Sequence, residues 1–334
     1  MKKIKKGLLF LISILFGAGI FVYAQNVIGW SFILKSFEIF LDKEGCFIII
    51  LSFFIAFLGG LRWREIVKDE GASNKNVSLF DYFKFYTAGF SIVYLFPIII
   101  FGSEFFRATL LEQKGKMGWD KALASVIIER IIEWTVNILV ILLGTLYFFY
   151  KVAMPENNIL VVFIISVVLT LALLVFIYFY VFRKKSFIKN MLFRINKENY
   201  KESLAIKTEK IVFDYFNIRN FCLWKGYALS ILKDLAMLLR VWLIVLFLGT
   251  SLDFVTSFSV LGFSFLSTII PIPATLGIQE LIQAFAFESL NINLGVSSAF
   301  AMILRAGEVV VALTGFVLFF KAGYSFFKSK ILSK

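Results

Sequence analysis

The chain has 334 residues, 60% hydrophobic and 18% aromatic, with a mean hydropathy of +0.87 and a formal charge of +13. A soluble domain of this size cannot bury so much apolar surface, and several apolar runs of roughly 20 residues match a bilayer core of ~30 Å. The short alternating segments of a β-barrel are absent. With no histidine, no spaced cysteine pair and no phosphate-loop motif, the usual catalytic and metal-binding machinery is missing.

The expected fold is an all-α polytopic membrane protein, a single integral membrane domain over 1–334. "MKKIKKGLLFLISILFGAGIFVYA" resembles a leader peptide. It is read as an uncleaved first helix over about 7–24, because the repeat described below needs that helix. Segment 28–41 is amphipathic and suits the membrane interface. Further apolar windows fall at about 46–61, 80–97, 119–150, 158–182, 218–249, 254–271 and 295–320. Two shorter pieces, about 102–112 and 275–288, cannot span alone, and each reads as the return arm of a re-entrant helical hairpin. About six full spans result. With the N-terminus in the cytoplasm, 28 of the 35 basic residues fall on the cytoplasmic side, and the C-terminus joins them. The basic loop after residue 182 is expected to meet anionic lipid headgroups rather than nucleic acid.

The two halves, about 1–151 and 152–334, repeat a spacing. Pro97 precedes Glu104 by seven positions, as Pro273 precedes Glu280. Glu104 precedes Arg130 by 26 positions, and Glu280 precedes Arg305 by 25. Each arginine begins an R-x-x-E pair, "RIIE" with Glu133 and "RAGE" with Glu308. Upstream, "LRWREIV" at Arg62 echoes "LRVWLIV" at Arg240. The topology set by the basic residues threads the halves oppositely, which makes an inverted-topology repeat, an architecture of carriers with a central site. Proline breaks a helix and glycine permits a tight reversal. Pro97 and Gly102, and Pro271, Pro273 and Gly277, therefore mark two hairpin turns that place a carboxylate at membrane depth.

Ionisable residues expected at that depth are Glu104, Arg107, Glu129, Arg130, Glu133, Lys233, Asp234, Arg240, Glu280, Arg305 and Glu308. Each costs roughly 2.5–3.5 kcal/mol at a lipid-facing helix centre, so they must face inward and pair. Arg130 with Glu133, and Arg305 with Glu308, share helical faces, as do Lys225, Lys233 and Arg240. Structural ion pairing accounts for some of them, Glu129 most readily. The mirrored set forms the candidate substrate path for a polar headgroup, since arginine can grip two phosphate oxygens at once. Trp30, Trp63, Trp119, Trp134, Trp224 and Trp242 read as interfacial anchors.

"FPIIIFGSEFFRATLLEQKG…ALASVIIER" and "PIPATLGIQE…LRAGE" resemble the flippase-like transmembrane family. That family includes the flippase half of lysylphosphatidylglycerol synthase, the multiple peptide resistance factor. Pro97, Gly102, Glu104 and Arg107 match its first turn motif, and Pro273, Gly277 and Glu280 its second, with "ATLG" in place of a glycine doublet. The separate transferase domain of its best-known members is not expected, because the chain ends at Lys334. The resemblance implies a flippase of the plasma (inner) membrane, bacterial or archaeal. Its cargo would be an anionic or aminoacylated phospholipid or a polyprenyl-phosphate-linked lipid, with a separate lipid-modifying enzyme as a potential partner. No catalytic residue, metal or cofactor is expected. The alternatives are a small-solute secondary transporter and a membrane-embedded lipid-modifying transferase.

Overall fold

Apolar residues outnumber polar ones along nearly every long segment, and a backbone in hydrocarbon must satisfy its own hydrogen bonds, so the helix is the natural outcome. The computed structural model describes residues 37–69, 77–96, 102–151, 157–184, 204–268, 275 and 277–332. Among these residues lie ten α-helices, a short 3₁₀ helix at Phe37–Leu41, and no strand. The helices are α1 (Lys43–Asp69), α2 (Leu79–Leu95), α3 (Gly102–Gly115), α4 (Trp119–Lys151) and α5 (Asn157–Phe182), then α6 (Leu204–Tyr215), α7 (Phe221–Phe247), α8 (Phe254–Ser267), α9 (Ile278–Ser289) and α10 (Leu294–Leu332). Seven of the apolar windows and both short return arms are thus helical. The window at 7–24, most of segment 28–41 and the three prolines Pro97, Pro271 and Pro273 lie outside the described residues.

Local chemistry sets several helix ends. Ser78 caps α2: its hydroxyl accepts from Asp81 N (3.2 Å) and the Asp81 carboxylate accepts from Ser78 N (2.9 Å). Asp253 caps α8 through Thr256 N at 3.3 Å. Its carboxyl is held below the usual range, first by the hydrogen bond from Lys151 at the end of α4 and next by Thr256. At the start of α9, Gly277 has φ +79°, a left-handed conformation that suits glycine, and its N–H donates to the Glu280 carboxylate at 2.9 Å.

Helix α6 is a departure from the sequence reading, which left the stretch after residue 182 as a basic loop. Its Thr208, Val212 and Tyr215 are buried, and it packs against α4. Charged residues on its outer face mask the period that binds it to the bundle.

Helices α1 and α7 pack on each other. Around them, α2 packs on α10 and α8 on α4; α3 lies against α2 and α4, and α9 against α8 and α10. Close crossings use small residues: Gly262 of α8 sits against Val140 and Gly144 of α4, and Gly315 of α10 against Thr87 of α2. One core joins α4, α7, α8, α9 and α10 through Ile141, Phe148, Val241, Phe263, Phe287 and Phe300. A second joins α1, α2, α3 and α4 around Trp63, Tyr82 and Leu111. Trp63 is fully buried and donates to Ser125 Oγ at 3.1 Å, so it is a core residue, not the interfacial anchor expected of it.

Helices Lys43–Asp69 and Leu294–Lys321 are long and apolar enough to cross a membrane. Leu143, Leu146, Leu169, Phe176 and Val317 present their side chains outward, as lipid-facing residues do. By contrast, α2 and α8, with 17 and 14 residues, reach only about 26 and 21 Å at 1.5 Å per residue. Both fall short of the hydrocarbon thickness. The protein is an all-α membrane protein.

Candidate functional site

Two charged clusters occupy the interior. The first is organised by α4. Glu129 is fully buried and accepts from Arg62 of α1 and from Arg107 Nη1 of α3, the latter at 3.0 Å. One turn on, Glu133 gathers Lys233 of α7, Arg62 (3.1 Å), Arg130 Nη1 (2.9 Å) and the Tyr86 hydroxyl (3.2 Å). Arg130 Nε also donates to Glu104 at 2.9 Å, and Arg62 Nη1 to Ser230 Oγ at 2.8 Å. Arg107 stacks over Trp63 and Tyr86, 4.3 and 5.0 Å from the ring centres.

The second cluster is organised by α10. Arg305 grips both oxygens of Glu280, Nη2 to Oε2 at 2.8 Å. Arg240 of α7 donates to Glu308 at 3.1 Å and to Ser52 Oγ of α1 at 3.1 Å. Arg305 Nη2 also reaches the carbonyl of Thr275, at 3.4 Å. Thr275 has φ +50°, which a β-branched residue rarely adopts, so the arginine braces a strained turn.

The clusters have the same plan. Glu104 pairs with Arg130 as Glu280 pairs with Arg305, and Glu133 meets Arg62 as Glu308 meets Arg240. They share one cavity of about 290 Å³, with Arg107, Arg130, Glu133 and Lys233 on one side and Arg240, Glu308, Thr275 and Gln279 on the other. Val93 and Trp134 also line it and are exposed, so the polar interior reaches the apolar flank of the bundle.

Most sequence-predicted site residues therefore come together. Arg107, Arg130, Glu133, Lys233, Arg240 and Glu308 line the cavity, and Glu104, Glu280 and Arg305 hold those side chains or the turn from behind. Asp234 is buried near Lys233, Glu133 and Arg62, but no salt bridge joins it among the described residues. On α10, Arg305 turns to Glu280 and Glu308 to Arg240, instead of the pairing expected within R-x-x-E. Gly102 begins α3 and Gly277 precedes α9. Lys225 meets Glu65 near the end of the bundle, at 2.6 Å, away from the cavity.

Sequence reasoning missed Arg62, Tyr86 and Tyr94. Arg62 follows the apolar window 46–61, where a cytoplasmic helix end is expected, yet it is 1% exposed at the centre of the first cluster. The echo of "LRWREIV" in "LRVWLIV" held the signal, since Arg62 and Arg240 take matching places. No group of three or more His, Cys, Asp or Glu among the described residues could hold a metal ion.

No curated protein and no solved structure matches the chain. A family described as lysylphosphatidylglycerol synthase TM region matches residues 10–315. With nearly the whole length matched, the chain belongs to that lysylphosphatidylglycerol synthase transmembrane-region family.

Proposed function

We propose that this protein is a lipid flippase of the plasma membrane, multi-pass, which carries a polar headgroup through the charged cavity while the acyl tails stay in lipid. The observation that carries the reading is a cavity lined by ionised side chains from both halves and open toward an apolar flank. Exchanging α1–α4 with α7–α10 turns each of their packing pairs into another: α2 on α10 becomes α8 on α4, and α3 on α4 becomes α9 on α10. That exchange, with the matched ion pairs, supports an inverted-topology repeat around an axis near α1 and α7. The short helix pairs α2–α3 and α8–α9 are then re-entrant hairpins from opposite sides, about six other helices span, and both termini face the cytoplasm.

Within this reading Glu104–Arg130 and Glu280–Arg305 are the gates at the hairpins, and Lys233 and Arg240 are the cations a headgroup meets between them. The protein moves its substrate without covalent chemistry. Its cytoplasmic basic residues meet anionic headgroups, and a separate enzyme would supply any modified lipid.

The test is reconstitution into liposomes with acyl-labelled fluorescent phospholipids and a membrane-impermeant quencher. Wild-type protein is expected to make inner-leaflet label accessible, and a Glu104, Arg130, Glu280 and Arg305 quadruple alanine variant that elutes as wild type is expected to lose most of that activity. Equal movement by both would remove the mechanism. Uptake of a small solute with no lipid movement would favour a secondary transporter instead.

A further inference from the structure

We propose that the cavity selects an anionic phosphate headgroup and disfavours a cationic, aminoacylated one, a claim that rests on the flippase reading and narrows its substrate. The lining presents four cations, Arg107, Arg130, Lys233 and Arg240, against two carboxylates, Glu133 and Glu308. Both carboxylates are already engaged. Glu133 is held by Lys233, Arg130 and Arg62, and Glu308 by Arg240. An ammonium group, which can only donate, would compete with these cations for carboxylates they already hold.

Most of the lining side-chain atoms left without a partner show the opposite need. Arg240 Nε and the Tyr94 hydroxyl are buried in the lining without a hydrogen bond, on residues 5% and 8% exposed. Arg107 adds Nε and Nη2, turned over aromatic faces. These are donors. The acceptor among the unpartnered lining atoms is Asn137 Oδ1, and an amide can present its NH₂ by rotating. Buried donors call for acceptors, and a phosphate offers only acceptors.

Arg240 and Tyr94 also belong together in space. Tyr94 lines the same cavity as Arg240, Glu308 and Thr275, residues of the second cluster and its turn. The phosphate is therefore placed between Arg240 and Tyr94, beside the turn at Thr275. A cavity of about 290 Å³ lies at the lower end of ligand pockets, which run from about 300 to 1,000 Å³. It fits a phosphate with a small alcohol.

The test uses the purified full-length protein in micelles and reads the thermal unfolding midpoint against added short-chain phosphatidylglycerol, lysyl-phosphatidylglycerol, phosphatidylcholine or inorganic phosphate. Phosphatidylglycerol is expected to stabilise with a half-saturation at least tenfold below that of the lysylated lipid. Tyr94→Phe keeps the ring and removes one donor, and is expected to weaken phosphatidylglycerol about tenfold. Arg240→Gln would strand Glu308, so Tyr94→Phe is the decisive variant. Equal or tighter binding of the lysylated lipid overturns the selectivity, and unchanged binding by Tyr94→Phe overturns the site. Inorganic phosphate matching phosphatidylglycerol would make this a free-anion site rather than a headgroup site. Failure of the flippase reading looks different: the preference persists in micelles while no lipid moves in liposomes.

Discussion

The Glu280–Arg305 pair offers the sharpest energetic test of the second cluster. Glu280 is 1% exposed, and its two oxygens receive both Nη groups of Arg305 and the Gly277 N–H. Removing one member of a buried pair costs about 3–5 kcal/mol, because the other charge is left desolvated. Glu280→Gln retains an acceptor for Gly277 N, so about 3 kcal/mol is expected. Arg305→Met leaves a buried carboxylate with that N–H as its main support, so about 4 kcal/mol is expected. If the residues acted independently, the double variant would lose the sum. Because removing the second charge relieves the first, the double variant should lose only about 4 kcal/mol, a coupling of about 3 kcal/mol. Denaturant titration in mixed micelles, followed by tryptophan fluorescence, gives all four corners of the cycle. Single losses below about 1 kcal/mol, or additivity within about 0.5 kcal/mol, would refute a desolvated, tightly coupled gate.

Other substitutions test the packing and the caps. Gly262→Val places a Cβ 3.3 Å from the Val140 carbonyl and should destabilise by about 1–3 kcal/mol through overpacking of the α4–α8 crossing. Gly249→Ala meets nothing within 4 Å but sits at φ +76°, so its unfolding midpoint should report only backbone strain, about 1 kcal/mol. Asp253→Asn loosens the Lys151 clamp. Because the Asp253 carboxyl is depressed in the folded state, its contribution is complete above the ordinary value of 3.8 and is lost as pH falls through its lower folded value. The gap in midpoint between wild type and Asp253→Asn should therefore be constant from neutral pH down to about 5 and close in stronger acid.

The sequence reading reached the helices and the site by different routes, and failed where partner choice depends on three dimensions. Spacing marked Glu104 and Arg130, and Glu280 and Arg305, as matching intervals, but the pairs it expected lay within each R-x-x-E; that each arginine meets the glutamate of the short helix before it depends on how that helix packs. Spacing could not tell that Glu308 leaves its own arginine for Arg240, because that choice depends on how α7 crosses α10. Arg62 and Trp63 sit in a charged stretch that reads as the end of a span, yet α1 continues to Asp69 and carries both inside. Helix α6 was hidden in a lysine-rich loop, where the few apolar residues that dock on α4 are diluted by solvated charges. Tyr94 gave no signal at all: one tyrosine among many aromatics becomes distinctive only when its hydroxyl is found buried and unpaired.

The account turns on two halves threaded oppositely through the bilayer around one charged cavity. Gln113, on α3 after the first turn, and Glu288, on α9 after the second, are both exposed. With Cys46 and Cys222 replaced by serine, single cysteines at 113 and 288 can be labelled in sealed, oriented vesicles with a membrane-impermeant thiol reagent. The account predicts labelling of position 113 only from the cytoplasmic face and of position 288 only from the opposite face. Labelling of both from the same face would contradict it.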